Sequence, residues 1–117
     1  MPDSQKNFYK KLFGLTGEGL TVKYIKKLGY KVVKRNFVTP YGEADIVAEK
    51  DGETVFIEVK TRSGKTFGEP KEAVDHKKQE KYRKIASYYM LKNGELPVSF
   101  AVAEVMDGKV NLIERAF

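Results

Sequence analysis

The chain has 117 residues, with 22 Lys plus Arg, 16 Asp plus Glu, one His, no Cys and a net charge of +6. This length predicts a single domain over residues 1–117, and the 41% of hydrophobic residues can supply its core. The lack of Cys excludes disulfides, thiolate zinc sites and cysteine nucleophiles, and one His excludes a His-rich metal cage. No apolar run approaches the roughly 20 residues that span a bilayer, and the N-terminus is too polar for a secretory signal. We therefore expect a cytoplasmic protein with no membrane partner.

The charge is unevenly distributed along the chain. Residues 1–35 contain nine basic and two acidic side chains, and residues 71–92 contain seven basic and three acidic ones. Residues 43–58, in contrast, contain six acidic side chains and one Lys. Basic segments favour a polyanionic partner, nucleic acid first, although lysines also keep a surface soluble. The acidic segment between them is typical of a site that holds metal cations against a polyanion.

The predicted elements are, in chain order, a helix, three strands, a helix and two strands. Thr16 and Gly29 provide a helix cap and a stop signal for the first helix. The elements cover residues 16–28, 30–38, 43–49, 54–61, 71–91, 97–106 and 109–113. A loop is expected at 65–70, and an N-terminal extension with helical turns at 1–13. This order indicates a mixed α/β (α+β) domain with helices packed on a central sheet.

The dipeptide Asp51–Gly52 predicts a tight hairpin, because a type I′ turn needs two residues that tolerate positive φ. This turn would place Lys50 opposite Glu53 and fix the register of both strands. One face would then be wholly apolar, and its residues would be Ala44, Ile46, Ala48, Val55, Ile57 and Val59. On the other face Asp45 would lie directly opposite Glu58, with Cβ atoms roughly 5 Å apart, and Lys60 would point to the same side.

Two carboxylates at this separation favour Mg²⁺ or Mn²⁺, which prefer oxygen ligands. A bound cation activates water and neutralises phosphate charge, and Lys60 could orient that water or stabilise developing charge. A retaining glycosidase also uses two close carboxylates, but a basic chain without Trp fits a carbohydrate cleft poorly. The alternative is that Asp45 and Glu58 are surface acids satisfied by water and Lys60.

Basic residues near this site are candidates for binding phosphate. Helical spacing puts three lysines of the second helix on one side, at positions i, i+4 and i+7. Two further basic residues follow the third strand. The complete set of nucleic-acid-binding candidates is Arg62, Lys65, Lys77, Lys78, Lys81 and Lys84. For any one of these lysines, a solubilising role on the helix surface is the alternative.

The segments 42–47 (Gly-Glu-Ala-Asp-Ile-Val) and 56–62 (Phe-Ile-Glu-Val-Lys-Thr-Arg) resemble the PD-(D/E)xK nuclease superfamily. More closely, the chain resembles the YraN family of small restriction-endonuclease-like proteins. The order of further matching segments supports this resemblance from about residue 14 to the end. They are Gly17-Glu18, 28–30, 35–37, 67–70, Ala73-Val74, Lys78 and Ala116-Phe117. Residues 99–103 (Ser-Phe-Ala-Val-Ala) depart from the family, which has an Asp in this strand.

The resemblance implies a restriction-endonuclease-like fold with a mixed central sheet and an αβββαβ core. It implies that Asp45 and Glu58 are metal ligands, helped by the Val59 carbonyl, and that Lys60 is the catalytic lysine. Glu18 would be a further acid at the same cleft, as in the similar archaeal Holliday-junction resolvases. Many nucleases of this fold dimerise, so the resemblance also allows a homodimer, although no segment of the sequence indicates an interface.

Three functions follow as hypotheses. The first is a Mg²⁺- or Mn²⁺-dependent endonuclease that hydrolyses phosphodiester bonds of DNA, in preference to RNA, in branched or damaged substrates. The second is a non-catalytic nucleic-acid-binding module on a nuclease fold. The third is a structural partner in a repair complex.

Overall fold

The computed structural model describes residues 16–62 and 74–117. These two ranges contain two helices and five strands, in the predicted order. The elements are α1 (Gly17–Lys27), β1 (Lys31–Thr39), β2 (Gly42–Lys50), β3 (Glu53–Thr61), α2 (His76–Asn93), β4 (Val98–Met106) and β5 (Lys109–Ile113). Neither of these helices has the length and apolar character that a bilayer crossing requires.

The five strands form one mixed sheet in the order β1-β2-β3-β4-β5. Strands β3 and β4 are parallel, and the other neighbours are antiparallel. Parallel neighbours need a crossover connection, and the chain between β3 and β4 contains α2. This mixed α+β architecture, compatible with a restriction-endonuclease-like fold, confirms the predicted fold class.

Each helix covers one face of the sheet. Val22 and Ile25 of α1 pack in a cluster with Ile46 and Ile57, whereas α2 packs on Val47 and Phe56 of the opposite face. Because side chains alternate along a strand, β2 and β3 are buried on both sides near their centres. Charged side chains on these strands flank the central apolar segments 46–48 and 55–57, and the functional candidates Asp45 and Glu58 lie next to these segments.

The β2–β3 hairpin confirms the predicted register over five residue pairs, from Lys50–Glu53 to Ile46–Ile57. Asp51 and Gly52 have φ values of 52° and 77°, as a turn with two positive-φ residues requires. The strand pairing ends at Ile46, so Asp45 and Glu58 do not continue the ladder as predicted. Ala44 also differs from the prediction, because it packs in the cluster under α2.

Helix α2 begins at His76, five residues after the predicted start at residue 71. Asp75 is its N-cap in an extended conformation, and its side chain accepts a hydrogen bond from the Lys78 amide at 2.8 Å. Val74, predicted to be helical, precedes the helix and is buried against Val102. The cap explains the later start, since an N-cap carboxylate satisfies an amide of the first helical turn. The predicted N-terminal extension and the loop at 65–70 lie outside the described residues.

Candidate metal site and adjoining lysine cleft

Asp45 lies where the backbone pairing of β2 with β3 ends. Its Oδ2 atom accepts a hydrogen bond from the Val59 amide at 2.8 Å. This carboxylate therefore satisfies a backbone donor that the strand ladder leaves without a partner. This contact places Asp45 next to the peptide bond between Glu58 and Val59, although Asp45 and Glu58 are not paired in the β2–β3 ladder.

The surroundings of Asp45 are unfavourable for a negative charge. Burial is the largest effect and, with the charges of Glu58, Glu18 and Glu43, raises the pKa of Asp45 from 3.8 to about 6. The hydrogen bond from the Val59 amide opposes this rise. A cation bound beside Asp45 would offset both the burial of its charge and the repulsion from the three neighbouring carboxylates.

Glu58 is 7% exposed and has both carboxylate oxygens occupied. Oε1 accepts from the Lys78 ammonium at 2.6 Å, and Oε2 accepts from the Tyr82 hydroxyl. The hydrogen bond to Glu58 raises the pKa of Lys78, so this amine stays charged. Burial, followed by the negative charge of Glu58, raises the pKa of Tyr82, so the phenol keeps the proton that it donates.

Lys78 and Tyr82 thus belong to the carboxylate site. The sequence assigned Lys78 to nucleic-acid binding and did not single out Tyr82. Their spacing of four residues places them on one side of α2, continuous with the buried residues Ile85 and Tyr89. One sequence signal could have identified Lys78 and Tyr82. It is a Lys at the start of a helical stripe that continues with buried aromatic and aliphatic residues.

Glu18 projects from the first turn of α1 and is held by β1. Its Oε1 atom accepts from Arg35 Nε at 2.9 Å and from Asn36 Nδ2 at 3.2 Å. Asn36 has a φ of 53°, a conformation that Asn adopts more readily than most residues. The charge of Glu18 contributes to the raised pKa of Asp45. It is therefore an electrostatic neighbour of the two candidate metal ligands.

A cleft of about 640 Å³ adjoins the carboxylates. Its lining includes Lys60 of β3 and the three lysines predicted to share one side of α2, namely Lys77, Lys81 and Lys84. Lys78 also lines it and connects it with Glu58. Lys65 lies outside the described residues. Five lysines predicted to bind phosphate or to act in catalysis, Lys78 among them, therefore line one cavity.

Arg62, predicted to bind phosphate, contacts an acid that sequence reasoning missed. Its Nε atom lies 2.7 Å from Oε2 of Glu104, whose side chain is fully buried. The contact is an ion pair without an aligned hydrogen bond. Glu104 occupies β4 at the position registered with Lys60. Its signal in the sequence was its place as the one charged residue of β4. Ala101, where the sequence departs from the family, faces the α1 side instead.

The oxygen donors at this site suit a hard divalent cation. Asp45 and Glu58 supply two carboxylates, and the neighbouring Val59 supplies a carbonyl. The described ranges contain no cluster of three or more acidic, His or Cys side chains with metal-binding geometry. Mg²⁺ commonly uses one or two carboxylates and completes its coordination with water and substrate phosphate. Two carboxylates beside a lysine-lined cleft therefore fit the group that the sequence implied.

Comparisons with known proteins place the chain in a family. Residues 17–107 match the model of the uncharacterised protein family UPF0102. A UPF0102 protein of Thermodesulfovibrio yellowstonii is 45% identical over 106 residues, which cover 89% of this chain and 94% of the relative. Relatives from Syntrophomonas wolfei and Alkaliphilus oremlandii are 44% and 41% identical, covering 89% and 92% of this chain and 96% and 98% of their own lengths. The chain belongs to UPF0102, which is the YraN family that its sequence motifs resemble.

Proposed function

We propose that the protein is a Mg²⁺- or Mn²⁺-dependent endonuclease that hydrolyses phosphodiester bonds of DNA. The observation that carries this proposal is the junction of two carboxylates with a lysine-lined cleft. Asp45 is fixed to the Val59 amide, and Glu58 is linked through Lys78 to the cavity that Lys60 also lines. A site for a hard cation therefore adjoins a surface suited to phosphate, as phosphodiester hydrolysis requires.

In this proposal Asp45, Glu58 and the Val59 carbonyl would hold the cation, which would supply charge neutralisation and an activated water. The ammonium of Lys60 orients the attacking water or stabilises the charge that develops on the phosphate. Lys78, which contacts Glu58 Oε1 and also lines the cleft, would be available to phosphate if a cation took its place at that oxygen. Tyr82 keeps its hydrogen bond to Oε2 and fixes the orientation of the carboxylate.

A cleavage assay on labelled single-stranded, duplex and branched DNA, in Mg²⁺, Mn²⁺ or EDTA, tests this function. We expect cleavage only with a divalent cation and a loss of about 100-fold or more in Asp45→Asn and Lys60→Met. Lys109→Met, at an exposed position of β5, is the matched control and should retain activity. Cleavage that persists in EDTA, or that Asp45→Asn leaves unchanged, contradicts the proposal.

A second function, a non-catalytic nucleic-acid-binding module, is favoured by one observation. The protein donors Lys78 and Tyr82 occupy both oxygens of Glu58. Titration calorimetry with Mn²⁺ separates the two functions. The nuclease requires binding that Asp45→Asn abolishes, whereas the module requires salt-dependent DNA binding with no heat from Mn²⁺.

A further inference from the structure

A second hollow, of about 450 Å³, continues the lysine cleft along α2. The two cavities share three lining residues, Tyr41, Glu80 and Lys84. Beyond these, the second hollow is lined by Tyr88 and Leu91 together with Arg83 and Ser87. The surface therefore changes from mainly cationic beside the carboxylates to aromatic and aliphatic further along the helix. The single acid at the boundary, Glu80, is outnumbered by the surrounding lysines.

The apolar side chains of this second hollow are unusually exposed. Tyr41 is 52% exposed and Leu91 is 84% exposed, values well above those of the core. Tyr41 meets Tyr88 edge to face, with ring centroids 6.5 Å apart and an interplanar angle of 74°. Lys92 lies over the Tyr88 ring, its Nζ 5.0 Å from the centroid. Tyr41 is thus the ring with free surface at the junction of the two cavities.

The backbone around Tyr41 is held in place. Thr39 Oγ1 accepts from the Tyr41 amide at 3.1 Å and donates to the Gly42 carbonyl at 2.7 Å. Gly42 has a φ of +136°, and a Cβ atom there would lie 2.7 Å from Cδ of Lys81. The stem of Lys81 consequently crosses the turn between β1 and β2. This arrangement fixes the backbone that carries an exposed ring next to a lysine of the cleft, so less conformational freedom is lost when a ligand stacks on the ring.

We propose that Tyr41 is a stacking platform for an unpaired base of a DNA strand whose phosphates lie along the lysine cleft. This inference rests on the proposed nuclease function and names its substrate as DNA with a single-stranded stretch. Bases stack on aromatic rings in single-strand-binding proteins, where lysine-lined grooves follow the backbone. Bases within an intact duplex are already stacked on each other, so their faces are not available to Tyr41. Charge complementarity of Lys60, Lys81 and Lys84 favours DNA over an apolar protein segment as the occupant.

Fluorescence anisotropy in EDTA, with a labelled single strand and its duplex, tests the platform without cleavage. We expect Tyr41→Ala to weaken single-strand binding about tenfold and to change duplex binding less than twofold. Tyr41→Phe keeps the ring and should bind like the wild type, whereas Tyr41→Leu keeps apolar bulk and should bind like the Ala variant. Tyr24→Ala, which removes a tyrosine that is 37% exposed on α1, is the matched control and should change neither affinity.

A strand with abasic positions provides a second arm. Wild-type protein should lose about tenfold in affinity for it, and Tyr41→Ala should bind intact and abasic strands equally. The platform is refuted if Tyr41→Ala weakens neither strand form, or weakens single strand and duplex alike. The platform is also refuted if Tyr41→Ala changes only the self-association of the protein, measured by light scattering. That result would assign the surface to a protein partner. Failure of the nuclease proposal is recognised separately, because Asp45→Asn is scored by cleavage and Tyr41→Ala by binding.

Discussion

Asp45 is the residue at which the requirements of a stable fold and of a cation site conflict. Its carboxylate is half-buried beside other acids, and its pKa is raised from 3.8 to about 6. The folded protein therefore binds this proton more tightly than the unfolded chain does. The resulting stabilisation is fully present below about pH 4 and is lost as the pH rises through 6. A cation that binds the charged form would replace the lost stabilisation at neutral pH.

We expect Asp45→Asn to unfold with a higher free energy than the wild type at pH 7.5, by about 1 kcal/mol, and with an equal one near pH 4. The amide oxygen of Asn can still accept from Val59, so only the charge is removed. The value is small because the carboxylate is partly hydrated. Urea unfolding between pH 4 and 8, in EDTA, measures the difference. Asp51→Asn in the hairpin turn is the control, and a pH profile that it shares with Asp45→Asn would contradict the assignment.

The Lys78–Glu58 ion pair is a second residue-scale feature with a measurable consequence. The ammonium lies 2.6 Å from the oxygen that a cation would need. Since a positive charge at this distance opposes cation binding, we expect Lys78→Met to bind Mn²⁺ several-fold more tightly than the wild type. Calorimetry at constant pH measures this change. Lys77→Met, on the same turn of α2 but without a contact to Glu58, should leave Mn²⁺ affinity unchanged, and equal effects of the two variants would refute a local competition.

At the scale of elements, local sequence signals predicted much of the structure. The turn residues Asp51–Gly52 fixed the hairpin register, because a one-residue slip would bury charge. The same reasoning failed at Asp45, where a side chain takes the place of a backbone partner for Val59. The alternation of side chains along a strand does not show where a side chain replaces a backbone hydrogen-bond partner. The register shift of β1 between Val32 and Lys34 was equally invisible in the sequence.

Long-range contacts explain what else the sequence did not reveal about the candidate site. Tyr82 and Glu58 are 24 positions apart and meet only because α2 packs across the sheet. Glu104 reaches Arg62 through the parallel pairing of β3 with β4, which no local pattern indicates. The lysine spacing of α2, in contrast, is a local pattern, and the three lysines line one cavity. Local patterns nominated Asp45 and Glu58 as candidate ligands, but they gave no indication of the groups that contact them.

The N-terminus of α2 joins this helix to the site, because the Asp75 cap lies two residues before Lys77 and three before Lys78. Asp75 Oδ1 accepts from the Lys78 amide at 2.8 Å. We expect Asp75→Ala to lower the free energy of unfolding by about 1 kcal/mol and Asp75→Ser to restore most of it. Chemical unfolding followed by circular dichroism provides the measurement. A Ser variant no more stable than the Ala variant would show that the carboxylate acts through charge and not through capping.

At the scale of the whole molecule, the net charge of +6 averages two opposed regions. Lysines of α2 and Lys60 line the cleft, whereas the candidate ligands beside it are acidic. A polyanion is therefore attracted along α2 and repelled at the carboxylates, unless a cation lies between them. Placement of charge, more than its total, should determine how DNA affinity depends on salt.

The logarithm of DNA affinity falls with the logarithm of salt concentration, with a slope of about −0.9 per phosphate neutralised. We expect the triple variant Lys77→Gln, Lys81→Gln, Lys84→Gln to reduce this slope by about 2 to 3 on duplex DNA. A second triple variant removes the same charge from exposed positions outside the cleft, namely Lys26→Gln, Lys27→Gln and Lys109→Gln. If net charge alone governs binding, both triple variants reduce the slope equally. If the cleft holds the DNA backbone, only the first triple variant reduces the slope, because counterions are released where phosphates contact lysines and not elsewhere on the surface.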